Sequence, residues 1–497
     1  MLPEGTSLCG ALYVLYTQVL MRVFLGKYIQ RPEMVFLVLA SIFGVFSAVL
    51  VPQLSIPDEN MHFLRAYSLA SGHVAGNDDK CTFPKGVYDR AYSIYQGDYA
   101  AHYAKRISLS SVDKDVWCGT AAPYSPLVHL PQAAGVLLAK VFYPSTGVMV
   151  LAGRLANLAF FAGAIYYMIK TVRIGKWAFA VIALLPTAIQ QAASLSADAV
   201  TFVVTFALVA FLLNLVTQKA AATQRQLVML VLLAGGLILS KAPNILLILF
   251  IPFLPCRLFS YTFRKKSALL KPLAIKWYVF LVAGVFAVLC AVAWQKIFGQ
   301  PLVASQAGNP IPHHPWLFIP ILFRTYVYMD PHATIFGFTG LGGFSDFIVS
   351  SVVGGFASYR YWLPETLVIV CYLLLLFVLL RPNKEEEKLL GDSTGRLALG
   401  GIVSLGVLTL GITYSLYLLW ALPLLGPRAI YAAGVQGRYF TAALATLIPA
   451  GIWLRRHISI AVKTDVLFSS IVVATSGFLL LFYTWETLYA RHLGMFH

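Results

Sequence analysis

Long apolar runs separated by short polar or basic stretches dominate the chain. The runs cover residues 34–51, 148–169, 177–193, 199–216, 227–239, 244–254, 277–297, 363–380, 397–421, 439–454 and 466–484. A bilayer core needs about 20 apolar helical residues to cross it, so the pattern predicts a bundle of about 11 membrane-spanning helices, some of them short. Basic residues set the direction. Arg22, Lys27 and Arg31 precede the first run, and Arg257, Arg264, Lys265, Lys266, Lys271 and Lys276 crowd one later stretch. Loops rich in Lys and Arg stay on the cytoplasmic side, which predicts an N-terminus inside and a C-terminus outside. Residues 126–142 are also apolar, but counting them as a span would put Lys170, Arg173 and Lys176 outside, so they are read as a helix lying at the outer interface. Two large outer loops are expected, 53–147 and 298–362, the first carrying interfacial helices. Residues 1–33 lack a signal-cleavage pattern and read as a cytoplasmic or interfacial segment.

Composition sharpens this into a class. Hydrophobic residues make up 59% of the 497 positions, charged residues 11%, and mean hydropathy is +0.76. Those values describe an all-α polytopic membrane protein, a single integral membrane domain over 1–497, and exclude a soluble enzyme. The formal charge of +17 gathers in loops between spans, so it reports topology and predicts no nucleic-acid partner. Six cysteines without CxxC or Cys/His spacing propose no zinc site. Cys81 and Cys118 both fall in the first outer loop, where an oxidising compartment would let them pair. Cys9, Cys256, Cys290 and Cys371 lie in or beside apolar runs and read as packing residues.

Candidate chemistry centres on IPDENMHFLRAYSLASG, residues 56–72, directly after the first span. Pro57 suits a first helical turn, Ser55 with Asp58 reads as a capping box, and Gly72 is a stop, which predicts about four turns of helix. Spacings of four and seven then place Asp58, His62 and Arg65 on one face, with Glu59 one step around it. Acids in a first turn can simply complement the helix dipole. Here, however, other unusual polar residues are expected on the same outer face: Asp198, Lys241, Arg324, Arg360, Gln436 and Arg438, with Arg154 early in its span. Charges at the edge of a bilayer are costly and mark function by default.

PDENMHF (57–63), YSPLVHLPQAAG (124–135), GRLANLAF (153–160), LLPTAIQQAASLSADAV (184–200), LSKAPN (239–244) and GVQGRYF (434–440) resemble, in order, the motifs of a bacterial multispanning membrane family of unknown function. That family is itself similar to the GT-C membrane glycosyltransferases. The resemblance covers nearly the whole chain and departs from the commonest form at Asn60, where proline is usual, and at Ser125, where an aryl-Pro-Pro is broken. It implies a GT-C-like bundle and sugar transfer from a polyprenyl-phosphate-linked donor to a glycan or lipid-linked acceptor outside the bacterial cytoplasmic (inner) membrane. Asp58 matches the first-loop acid expected to act as general base, with Glu59 second. A leaving lipid phosphate also needs cations and amide donors at the lipid-water boundary, and His62, Arg65, Asp198, Lys241, Arg324, Arg360, Gln436, Arg438 and Tyr439 are the candidates to surround it. A divalent cation, Mg or Mn, is left open, and no metal ligand is assigned.

Two other classes compete. A flippase or exporter of lipid-linked sugars would use the same charges as a pathway; it predicts charged residues along the inner halves of several spans and an internal repeat, and neither is visible. A non-catalytic envelope-assembly protein would keep the fold without the chemistry.

Overall fold

The computed structural model describes residues 28–74, 81–92, 99–116, 121–122, 124–259, 272–298, 318–326, 344–356, 361–422, 429, 431–432 and 434–492. Cys9, Cys118 and Arg360 lie outside the described residues, as do 1–27 of the N-terminal segment and most of the 298–362 loop.

Helix α1 (Pro32–Leu50) opens with Pro32 in its first turn, where a missing N–H costs nothing, and runs apolar to Leu50. The segment that follows α1 then folds on itself. It contains α2 (Glu59–Ala70), an antiparallel ribbon of β1 (Cys81–Pro84) with β2 (Val112–Val116), α3 (Lys85–Tyr92) and a helical turn Tyr99–Ala104. Phe63, Leu64, Tyr67, Phe83, Val87 and Ala91 pack with Val136, Met149, Val150 and Leu195 into one small core. The loop is thereby bolted to the membrane helices beneath it. A 3-10 turn, Pro126–His129, leads into α4 (Leu130–Phe142), the apolar helix expected at the interface. It lies along α5 (Thr146–Thr171), and a Cβ on Gly135 would come within 2.2 Å of the Ala152 carbonyl oxygen, so only glycine permits that approach. Its opposite side leaves Val141 and Phe142 68% and 77% exposed, an apolar face suited to lipid.

The chain continues through α6 (Lys176–Ala183), α7 (Pro186–Ala192), α8 (Asp198–Thr217), α9 (Gln224–Ser240) and a 3-10 segment Ala242–Phe253. Beyond these lie α10 (Pro272–Phe298), α11 (Phe318–Tyr326), α12 (Phe344–Gly354), α13 (Glu365–Leu379), α14 (Lys384–Leu390), α15 (Thr394–Leu416), α16 (Ile448–Leu454) and α17 (Asp465–His492). Apart from β1–β2 and a second short ribbon (Gly355–Phe356 with Tyr361–Trp362), the described elements are helical. Among the described residues six stretches are long and apolar enough to cross a membrane: Pro32–Leu50, Thr146–Thr171, Asp198–Thr217, Pro272–Lys296, Lys384–Ala421 and Asp465–Ala490. In the most hydrophobic window of α8, 78% of residues are buried inside the protein, against 22% in that of α10, so α8 is the central post and α10 a lipid-facing one.

The other five expected spans are shorter or broken, for local reasons. Residues 177–193 divide at Leu184 and Leu185, because Pro186 has no N–H to continue the ladder and its ring crowds the preceding turn. Residues 439–454 break into Arg438–Thr441, a 3-10 stretch Ala442–Leu447 and α16, which carries Pro449 in its first turn. The 3-10 form of Ala242–Phe253 lengthens a segment too short for an α-helical crossing: its 12 residues reach about 24 Å, against about 18 Å as an α-helix. Runs 227–239 and 363–380 form α9 and α13, of 17 and 15 residues.

The helix expected over 56–72 starts later and has no capping box. Leu54 and Asp58 take left-handed backbone angles, φ 63° and 62°, and the Ser55 hydroxyl donates back to the Pro52 carbonyl at 2.7 Å. Helix α2 therefore begins at Glu59, Asp58 stands outside it, and Gly72 ends it with φ 83°.

Candidate functional site

Two charged assemblies occupy the end of the bundle where the segment between α1 and α5 sits. The inner one is closed. Arg154, fully buried on α5, donates Nε to Glu59 Oε1 (2.8 Å), Nη2 to Glu59 Oε2 (2.6 Å) and to the Pro52 carbonyl (2.9 Å), and Nη1 to the carbonyls of Ala48 (3.0 Å) and Val51 (2.7 Å). A guanidinium has five N–H donors, and these bonds use all of them. Glu59 is fully buried too, and its Oε1 also accepts the Leu195 N–H at 3.1 Å. The pair ties the end of α1, the start of α2, α5 and the turn before α8 into one knot.

That turn, residues 193–197, is buried, and side chains satisfy its backbone. Asn157 Nδ2 donates to the Ser194 carbonyl at 2.8 Å, and Gln132 Nε2 to the Ser196 carbonyl at 2.9 Å. Ser196 Oγ accepts the Asp198 N–H at 3.1 Å. The result is a rigid seat for Asp198 at the first turn of α8.

The outer assembly is built around Arg438 and is open on one side. Arg438 donates Nε to Gln436 Oε1 (2.6 Å), Nη1 to Gln191 Oε1 (3.3 Å) and Nη2 to Asp58 Oδ2 (3.0 Å), while Asp198 Oδ2 stands 3.5 Å from its Nε. Lys241, in the break between α9 and the 3-10 segment, donates Nζ to Asp198 Oδ1 at 3.3 Å and lies 3.4 Å from the centre of the Tyr439 ring. The Arg438 and Asp198 side chains are 4% and 11% exposed, but that of Asp58 is 56% exposed. Two carboxylates thus share two cations beside water, and the charges balance. A crevice lined by Asp198, Lys241, Arg438, Tyr439, Thr201 and Asn244 continues inward with room for about one water, about 10 Å³. Among the described residues no group of three His, Cys, Asp or Glu assembles a metal site.

His62 faces this assembly from α2. One ring N–H joins His62 Nδ1 and His129 Nε2 at 2.8 Å, with Tyr124 edge-on to both rings. Burial pushes His62 down to about 4, outweighing the upward pull of the Asp58 and Asp198 carboxylates. His129 is also held well below the ordinary histidine range, first by burial and then by His62 and Arg65. Both rings are therefore neutral at pH 7.

Of the residues singled out in the sequence, Asp58, His62, Asp198, Lys241, Gln436, Arg438 and Tyr439 come together. Glu59 does not join them, since Arg154 and the Leu195 N–H hold both its oxygens. Arg65 points elsewhere, donating Nη2 to the carbonyls of Val74 and Tyr124 at 2.9 Å each, so it braces the loop instead of lining the cluster. Arg324, on α11, is exposed and has no ion-pair partner among the described residues. Cys81 is disulfide-bonded and stands opposite Val116 in the ribbon, two positions before Cys118 in the sequence. Gln191, Tyr124, His129, Gln132 and Asn157 were not singled out as site residues, although each lies inside a quoted motif.

Neither the curated proteins nor the solved structures contain a match to the chain. A family match does exist over residues 39–447, a stretch that includes Asp58, Glu59, Arg154, Asp198, Lys241 and Arg438. The chain belongs to the family described as "Predicted membrane protein (DUF2142)".

Proposed function

We propose that this protein is a membrane glycosyltransferase. It moves a sugar from a polyprenyl-phosphate-linked donor to a glycan or lipid-linked acceptor on the outer face of the bacterial cytoplasmic membrane, using a GT-C-like bundle of about 11 spans. The observation that carries this reading is Arg438 held between Asp58 and Asp198, with Lys241 alongside, at a water-exposed mouth over a membrane crevice.

The charge balance suggests an order of events. A donor phosphate approaching Arg438 competes with the Asp58 carboxylate, the more exposed of its two acidic partners. Arg438 presents a planar fork that fits phosphate bidentately, and Lys241 adds a point charge. Once displaced, Asp58 is a free carboxylate beside the acceptor. It takes the proton of the acceptor hydroxyl while that oxygen forms a bond to the anomeric carbon. The bond between that carbon and the phosphate oxygen breaks, and the lipid phosphate leaves with the electron pair, its charge met by Arg438 and Lys241. Asp198 keeps both cations aligned. Glu59 is a positioning residue in this scheme: it fixes the start of α2 from within the Arg154 knot and has no oxygen to offer as base.

The test is to incubate the purified protein with a panel of radiolabelled polyprenyl-phosphate sugars and an envelope glycan acceptor. Release of lipid phosphate together with label in the acceptor supports the reading. Donor that crosses a bilayer unhydrolysed and untransferred would replace it with a transporter.

A further inference from the structure

The run 438–454, which carries Arg438 at its start, borders a second cavity at its far end. It has a volume of about 270 Å³ and lies where α5 turns into α6, beside the start of α1, the C-terminal ends of α13 and α16 and the first turn of α17. The turn depends on Gly175, whose φ of 71° L side chains rarely adopt and whose added Cβ would meet Ile448 at 2.6 Å.

Its charges are not all equivalent. Four cations, Arg173, Lys176, Arg381 and Arg455, face it together with Glu385 and Glu386. Arg455 is spoken for: its Nη2 donates to Glu386 Oε2 at 3.0 Å, its Nε stands 3.0 Å from Glu387 Oε1, and its Nη1 donates to the Arg381 carbonyl. Glu386 is spoken for too, because its Oε1 accepts the Gly175 N–H at 2.8 Å. Arg381 pairs with the exposed Asp465 and lies 4.1 Å from the centre of the Phe468 ring. Arg173 is exposed, and its guanidinium has no hydrogen-bond or ion-pair partner among the described residues. Lys176 gives one of its three N–H donors to the Lys170 carbonyl at 2.9 Å. Arg173 and Lys176 thus have no ion-pair partner among the described residues, and Glu385 is the one carboxylate facing the cavity without one, so these three groups leave a net charge of +1 at the rim.

The remaining wall is apolar, made by Trp177, Val378, Leu379, Ile448 and Ile452. A free anion gains nothing from such a wall. An amphiphile does, and the site lies at the ends of spans, where lipid headgroups meet water and basic pockets between helices capture them. We propose that this cavity binds the headgroup of an anionic phospholipid, its phosphate on Arg173 and Lys176 and its first acyl carbons against the Trp177 and Ile452 side. The site is independent of the sugar-transfer reading.

The test uses the full chain purified in a neutral detergent. Binding is followed by the thermal midpoint during titration with phosphatidylglycerol, phosphatidylcholine or inorganic phosphate, for the parent, Arg173→Gln and Arg173→Gln/Lys176→Gln. Phosphatidylglycerol is expected to raise the parent's midpoint at concentrations at least about tenfold lower than either other probe, and the double variant to lose that advantage. Because Arg173 is exposed and unpartnered, Arg173→Gln alone folds and carries the comparison if the double variant does not; it should bind at least about threefold more weakly. No rise in the parent overturns the proposal, as does an equal rise in the variants. An equal response to inorganic phosphate overturns the lipid assignment.

Discussion

Asp58 and Glu59 are neighbours in the chain with nearly the same chemistry, and the structure gives them opposite surroundings. Glu59 is buried without exposure against an Arg154 whose every donor is taken. Asp58 holds Arg438 with more than half of its side chain in water, from a left-handed backbone position outside the helix. The closed pair has no capacity left for a substrate, so it acts by holding four chain segments together. The open pair can be opened by anything that competes for Arg438. Saturation and exposure, more than residue type, separate scaffold from site here.

The largest effect expected from breaking this contrast is on stability. Arg154→Met leaves Glu59 buried and unpaired, which should cost about 3 to 5 kcal/mol. Loss of folded, monodisperse protein on size exclusion, or a collapse of the thermal midpoint, would register it. Asp58→Asn, by comparison, removes a half-exposed pair worth about 0 to 1 kcal/mol and leaves a residue that tolerates the left-handed backbone, so its midpoint should barely move. If the two variants destabilised equally, the distinction between the assemblies would fail.

The first loop supplies the next effect. We propose Cys118 as the partner of Cys81; removing that bridge by Cys118→Ser should cost about 3 to 4 kcal/mol in the chain-entropy model. Mass mapping under non-reducing conditions checks the pairing, and two free thiols would refute it. Arg438→Lys keeps the charge but loses the fork that holds Asp58, Gln191 and Gln436 together. Donor binding should weaken roughly tenfold to a hundredfold, the loss of one charge-assisted hydrogen bond of about 1.5 to 3 kcal/mol. Unchanged donor affinity in a flotation assay would remove Arg438 from the phosphate site.

The smallest effect is on pH dependence. His62 has its value lowered from the ordinary 6.5 to about 4, so between those limits the unfolded chain binds the proton and the folded chain does not. Stability from this group is complete above about pH 6.5 and falls as pH drops towards 4. His129, in hydrogen-bond contact and also shifted down, adds in the same direction. His62→Gln should flatten the thermal-midpoint profile over that range, and a profile as steep as the parent's would contradict the assignment.

Much of this was legible in the residues, and the rest was hidden for identifiable reasons. Hydropathy located the six long apolar stretches found among the described residues, and the topology expected from the basic loops brought Asp58, Asp198, Lys241 and Arg438 to one face. The Glu59–Arg154 knot joins positions 95 apart, and no helical spacing reports a contact of that range. Local pattern also misread 56–72: the capping-box motif was outweighed by the tight turn at Leu54 to Asp58, which follows the Val51 and Pro52 carbonyls held by Arg154. Residues 177–193 looked like one span because apolar composition continues through Pro186, while backbone hydrogen bonding does not. His129 and Gln191 passed as ordinary residues at the margin of apolar helices, and only tertiary packing brings them to His62 and Arg438.

The most direct test of the central claim is release of lipid phosphate by Asp58→Asn compared with Glu59→Gln, each scaled to the amount of folded protein that still binds donor. Asp58→Asn is expected to stay folded, bind donor and transfer about a hundredfold to ten-thousandfold more slowly, while Glu59→Gln loses folded protein but turns over normally per folded molecule. Near-parental transfer by folded Asp58→Asn would contradict the claim.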